Sequence, residues 1–240
     1  MVNNQETYAN GNRLQNRKQP QIIPDSMDEI VNETIEPKHM KGTSNKWISI
    51  THYQFSERIA GFEGIPSLIA VDGLFDPSAP NRFSLSACGT VSSSPKAVQV
   101  RREVGCGCHL KKKSDGTVTV TNASDASIFV QCPLKNVSAP ETVYKLRKND
   151  SMVIHDKQKF EEILKTTLKE ADNVRAALYD LVNKCRVRIS FVKGFGESYE
   201  RRPKVTDVPC WVEISFVGTL KELDEQIMKA ADAEIISSFT

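Results

Sequence analysis

The residues whose types and spacing could hold a charged ligand are concentrated in one stretch. Between Arg186 and Val217 lie Lys193, Gly194, Phe195, Gly196, Tyr199, Arg201, Arg202 and Lys204. These are hydrogen-bond donors and cations on a backbone that two glycines allow to turn sharply, an arrangement suited to gripping an anion. Gly194-Phe195-Gly196 lacks the spacing and the following helix of a dinucleotide fingerprint, and no GxxxxGK[ST] phosphate loop occurs in the sequence. A solvated basic hairpin is the plainer reading of the same residues.

Other candidate chemistry is sparse. His52, His109 and His155 fall on strand-like or turn segments without a GxSxG elbow, an HExxH helix or a paired-carboxylate motif, so the chain is expected not to be an enzyme. Cys106-Gly107-Cys108-His109 is suggestive of metal, but no second Cys/His pair stands at a zinc-site spacing, and neither a metal site nor a cofactor is expected. The six cysteines do not make a dense disulfide framework in 240 residues, and a reducing compartment would keep them as thiols. Asn32, Asn122 and Asn136 begin glycosylation sequons that matter only if the chain is secreted. The 32 basic and 30 acidic residues leave a net charge of +2, so attraction to nucleic acid or anionic membrane must come from local patches.

The elements that must position the basic loop are legible in the apolar periodicity. Val187, Ile189 and Phe191 alternate with Arg186, Arg188 and Ser190, and Val212, Ile214 and Phe216 with Glu213 and Ser215, so two half-buried strands frame the loop. From Trp47 to Val130, short apolar runs (WISITHYQF, PSLIAVDGLF, RFSLSACG, AVQVRREV, GTVTV and SIFVQ) are separated by Gly, Pro, Ser and Asp, which predicts antiparallel strands and no helix. Asp156 is placed to cap a helix bearing Phe160, Ile163, Leu164 and Leu168, and Val174, Ala177, Leu178, Leu181, Val182 and Cys185 mark a second. Thr219 to Glu222 reads as a capping box opening a third, with Leu220, Leu223, Ile227 and Ala231 inward. The expected fold is mainly β: an antiparallel β-sandwich with a three-helix bundle at one end and loops and helix at the other. Residues 1–45, rich in Asn, Gln, Glu and Lys, are expected to form a disordered leader before one ordered domain over 46–240. No apolar run reaches the ~18 residues of a membrane span, and residues 1–21 are too polar for a secretory signal, so a soluble intracellular protein without membrane insertion is expected.

At SFVKGFG, followed by Tyr199, Arg201 and Pro209-Cys210-Trp211, the chain resembles the C-terminal Mad-homology domain of the Smad signal transducers. The resemblance extends to VDGLFDPS, Asn81-Arg82-Phe83, Arg101-Arg102 before Gly105 and Gly107, and Ser124-Asp125 before Ile128-Phe129-Val130-Gln131, and it spans residues 47–240. It implies a phosphoprotein of a TGF-β-type pathway, a transcriptional co-regulator moving from cytoplasm to nucleus on activation. An activated type I receptor Ser/Thr kinase would phosphorylate the tail 237–240, SSFT, at Ser238 and Thr240. The phosphates would dock on a neighbouring subunit at Lys193, Tyr199 and Arg201. Each adds about −1.5 to −2 charges, enough to create a contact that the neutral tail cannot make. Asp72, Arg82 and Asp224 match the subunit interface, with carboxylates of one subunit facing arginine of the next. Partners would be other Smads, including a common-partner Smad in a trimer, and transcription factors. The family's zinc-containing N-terminal domain is missing, so no direct DNA binding is expected.

Several positions depart from the family. Val153 stands where a pocket lysine is usual, and Glu200 where receptor-activated relatives often carry arginine or histidine. The segment from Pro133 to Tyr144 is short and lacks an aromatic YGWHP-type stretch, which bears on binding of the usual membrane anchor protein. The competing expectation is a constitutive phosphopeptide-binding module similar to forkhead-associated domains, with a sandwich and basic loops but no tail of its own.

Overall fold

The structure, a computed structural model, describes residues 45–88 and 93–237. The expected leader, apart from its last residue, and the phosphoacceptors Ser238 and Thr240 lie outside the described residues.

Strict alternation builds the first layer. In β1 (Ile48–Gln54), Ile48, Ile50, His52 and Gln54 are buried while Ser49, Thr51 and Tyr53 reach the other face. This strand sits between β2 (Glu57–Gly64) and β11 (Trp211–Phe216); β10 (Val187–Phe191), β7 (Ile128–Gln131) and β8 (Val143–Leu146) continue the sheet, every pair antiparallel. A second, five-stranded sheet runs in the order β4 (Arg82–Ser84), β3 (Leu68–Asp72), β5 (Cys108–Lys112), β6 (Val118–Asn122) and β9 (Ser151–His155). Within it only the β3 and β4 pair is parallel. Ile48, Ile50, Ile189, Val212 and Ile214 of the first sheet meet Ile69, Val71, Leu110 and Val120 of the second to form one sandwich core.

Four helices are described. The run AVQVRREV, expected as a strand, is α1 (Pro95–Val104): the Ser94 side chain caps it by accepting from the Ala97 amide, and Pro95 opens the first turn. Val98 and Val100 mimic a period of two, but Ala97, Val100, Arg101 and Val104 share the buried face at helical spacing. The bundle consists of α2 (Lys157–Glu170), capped by Asp156 as expected, α3 (Val174–Lys184), capped by Asn173, and α4 (Val217–Ser237). Phe160, Leu164, Leu178, Leu181, Cys185, Leu223 and Ile227 form its core. Leu168, expected on the inward face, is 38 % exposed. Eight residues beyond Phe160 at about 100° per residue, it has drifted roughly 80° off that face. Helix α4 begins at Val217, two residues before the expected capping box, and the Thr219 hydroxyl faces the His155 ring at 3.3 Å.

Because α4 continues directly from β11, the bundle and the β10–β11 loop lie at opposite ends of that six-residue strand. Among the described residues no helix is long and apolar enough to cross a membrane. The Asn122 side chain is fully buried, donating to the carbonyls of Ala126 and Leu146 and accepting from the Ser124 amide, which is incompatible with a glycan there.

Candidate functional site

The basic loop, residues 192–210, folds back on the outer face of the six-stranded sheet. The strand register sets out that face as a row: Tyr53 opposite Trp211, Trp211 opposite Ser190, Ser190 opposite Phe129, and Phe129 opposite Lys145. On this row rests a second small core of Phe129, Phe195, Val205, Val208 and Trp211. Trp211 is fixed twice, by stacking on Tyr53 with ring centroids 4.3 Å apart and by donating its indole N–H to the Phe55 carbonyl at 2.7 Å.

The loop's own polar groups hold its shape. The Ser190 hydroxyl donates to the Lys193 carbonyl at 2.8 Å, and the Gly196 amide, at a left-handed φ of 92°, donates to the Arg202 carbonyl at 3.0 Å. Tyr199 lies flat on Gly194: a Cβ there would stand 2.3 Å from the ring, so only glycine permits the contact. The same ring meets Phe129 edge-on at 5.5 Å. Arg202 closes the loop by donating Nε–H to the Gly194 carbonyl at 2.8 Å while its guanidinium stands 5.7 Å from the Tyr199 ring.

Lys193, Tyr199 and Arg201 all lie on this one loop, but with unequal freedom. Tyr199 is half-buried and packed, Lys193 is half-buried and Arg201 is exposed. Neither Lys193 nor Arg201 forms an ion pair among the described residues. Lys145 was missed from the sequence; its Nζ lies 5.9 Å from the Phe129 ring that Tyr199 abuts, adding a cation at the edge of the loop. Its only sequence signal is the alternation of VYKL, which sets it on the row of Phe129. Val153 lies on β9 of the other sheet, 37 % exposed.

A family model for the MH2 domain matches residues 45–217. This chain belongs to the MH2-domain family. MH2 domains are protein-interaction domains that mediate Smad-type signal transduction and oligomerisation. The IAD domain of interferon regulatory factor 9 is similar to this MH2 domain at 10 % identity and a TM-score of 0.53, covering 84 % of this chain and 97 % of that one. A chain from the structure of STAT2 in complex with IRF9 is similar at 10 % identity and a TM-score of 0.53, covering 78 % of this chain and 99 % of that one. At such identity the likeness concerns the fold alone.

Elsewhere in this MH2 domain, two of the expected interface residues pair within the single chain. Arg82 grips Asp72 of its own chain with two hydrogen bonds, of 2.6 and 3.2 Å, and donates a third to Asp76 at 3.2 Å. The hydrogen bond to Asp72 is the main cause that raises the Arg82 pKa above its usual value. The Asp72 side chain is 5 % exposed and that of Arg82 is 22 % exposed, so the carboxylate is enclosed while the arginine keeps some contact with solvent. Asp224 is exposed on α4.

The remaining candidates do not converge on a chemical site. Cys106 is exposed, whereas Cys108 is buried and its thiol is pushed up to about 12 by burial. Among the described residues no group of three His, Cys, Asp or Glu could hold a metal ion. His52 is fully buried beside Cys210, whose Sγ lies 3.6 Å from its Nε2; burial, then the Arg101 charge, lowers its pKa to about 3. A base held neutral in this way beside a thiol that burial raises to about 12 is core chemistry.

Proposed function

We propose that this MH2 domain is a phosphorylation-switched assembly module of a TGF-β-type pathway. An activated type I receptor Ser/Thr kinase modifies Ser238 and Thr240, and the phosphorylated tail docks on Lys193, Tyr199 and Arg201 of a neighbouring subunit, with Lys145 at the rim. The assembly is a trimer that includes other Smads, among them a common-partner Smad. It moves from cytoplasm to nucleus and acts there through transcription factors, without reading DNA itself. The observation that carries this reading is a loop whose shape is held by Arg202, Ser190 and Gly196, while Lys193 and Arg201 have no ion-pair partner among the described residues. A preorganised site spends little binding energy on ordering itself.

The test is calorimetric titration of the chain with a peptide of residues 231–240, unmodified or phosphorylated at Ser238 and Thr240. With charge-assisted contacts worth roughly 1.5–3 kcal/mol each, the phosphorylated peptide is expected to bind at least about tenfold tighter, with affinity falling as salt rises. Equal affinity for the two peptides would remove the tail as the switch and leave the basic loop as a solvated hairpin.

A further inference from the structure

We infer that Ser94 is a second phosphorylation site, modified by a proline-directed Ser/Thr kinase independently of the tail. Ser94-Pro95 is the one Ser/Thr-Pro dipeptide in the whole sequence. Pro95 and Lys96 are exposed and Ser94 is half-exposed, so the dipeptide such a kinase reads, a hydroxyl followed by a ring without an N–H, lies at the surface. The Ser94 hydroxyl already serves as acceptor for the Ala97 amide at 3.2 Å, and the first turn of α1 holds no acidic residue to repel an added anion.

In the reaction, the Ser94 oxygen forms a bond to the γ-phosphorus of MgATP as the bond to the β-phosphate oxygen breaks; ADP leaves, and the hydroxyl proton passes to the kinase's base. The product places nearly two negative charges and three acceptor oxygens at the positive end of α1, with Lys96 adjacent. The same helix is tied to the rest of the domain: Arg101 donates to Gln54 of β1 at 3.2 Å, and the carbonyl of Gly105, which caps α1, accepts from the Gly73 amide next to Asp72.

The experiment incubates the full chain with MgATP and a proline-directed Ser/Thr kinase, then reads intact mass, the modified peptide and the melting temperature. The expected result is one added phosphate on Ser94, lost in Ser94→Ala and in Pro95→Ala, with Tm raised by about 2–4 °C. Ser94→Asp, which keeps a capping acceptor, is also expected to take no phosphate and covers the case in which Ser94→Ala fails to fold. Three results overturn the inference: no phosphate on the folded chain while a synthetic peptide of residues 89–99 is modified, a phosphate that persists in both Ser94 variants, or a lowered Tm in the modified chain.

Discussion

Arg202 donates to the Gly194 carbonyl and stands over the Tyr199 ring, whereas its neighbour Arg201 is exposed with no ion-pair partner among the described residues. The two side chains are identical and adjacent, so the division of labour comes from geometry alone. Arg202→Ala removes a hydrogen bond and a cation–π contact, and is expected to lower stability by about 1–2 kcal/mol in urea unfolding. Arg201→Glu leaves the unfolding midpoint nearly unchanged, because exposed substitutions cost under about 0.5 kcal/mol, but weakens binding of the phosphorylated tail peptide about tenfold or more. If Arg202→Ala proves neutral in stability and loses the peptide instead, the ligand cation is Arg202. Only the composition of this loop was legible in the sequence. KGFGESYERR announces cations and glycines, yet that Arg202 is the arginine folded inward shows only in its contacts with the Gly194 carbonyl and the Tyr199 ring.

At the scale of elements, two strands of the sandwich carry a histidine whose charged form is disfavoured by burial. Burial is the first cause that lowers the pKa of His52 of β1 to about 3 and that of His155, at the end of β9, to about 4, from the ordinary imidazole value of about 6.5. A folded pKa below the unfolded one means that the unfolded chain binds the extra proton first. The stability contributed by the neutral ring is complete above about pH 6.5 and is lost as pH falls toward 4 and then 3. Each histidine contributes up to about 1.4 kcal/mol per pH unit across that window, so the urea midpoint is expected to drop steeply between pH 6 and 4. His52→Phe should remove about one proton from the slope; a slope identical to that of the parent would show that the ring is solvated in the folded state. His52 was readable as an inward position of WISITHYQF, but its burial was not, because period-two alternation assigns a face and says nothing of what covers it. Likewise Val98 and Val100 disguised α1 as a strand, and Ser94-Pro95, the local signal that decides for helix, is weaker than the apolar pattern it overrules. The strands β2, β5, β8 and β9 escaped notice for a related reason: ERIAGFEG, CHLKK, VYKL and SMVIH are short, charged or glycine-bearing, and are recruited by their neighbours in the sheet.

At the scale of the whole molecule, the assembly expected of the domain must use surfaces that the folded chain can spare. In the single chain Asp72 is almost fully buried and carries Arg82 and the Leu74 amide on its oxygens. Reversing Arg82 to Glu would therefore do more than break a contact between copies. It would leave Asp72 unpaired and set a second carboxylate beside it, a loss of about 3–5 kcal/mol typical of a broken buried pair. The monomer is expected to melt markedly lower, and loss of oligomer in that variant would report folding as much as interface. Asp224 is the cleaner probe, because it is exposed on α4 and its removal costs the monomer little. In tail-phosphorylated protein studied by light scattering, Asp224→Arg is expected to abolish the trimer while Tm stays within a few degrees of the parent. Its repulsion from Arg82 on a neighbouring copy should be relieved by salt. A trimer that survives Asp224→Arg undiminished would remove α4 from the interface and leave the Asp72–Arg82 pair a purely internal brace.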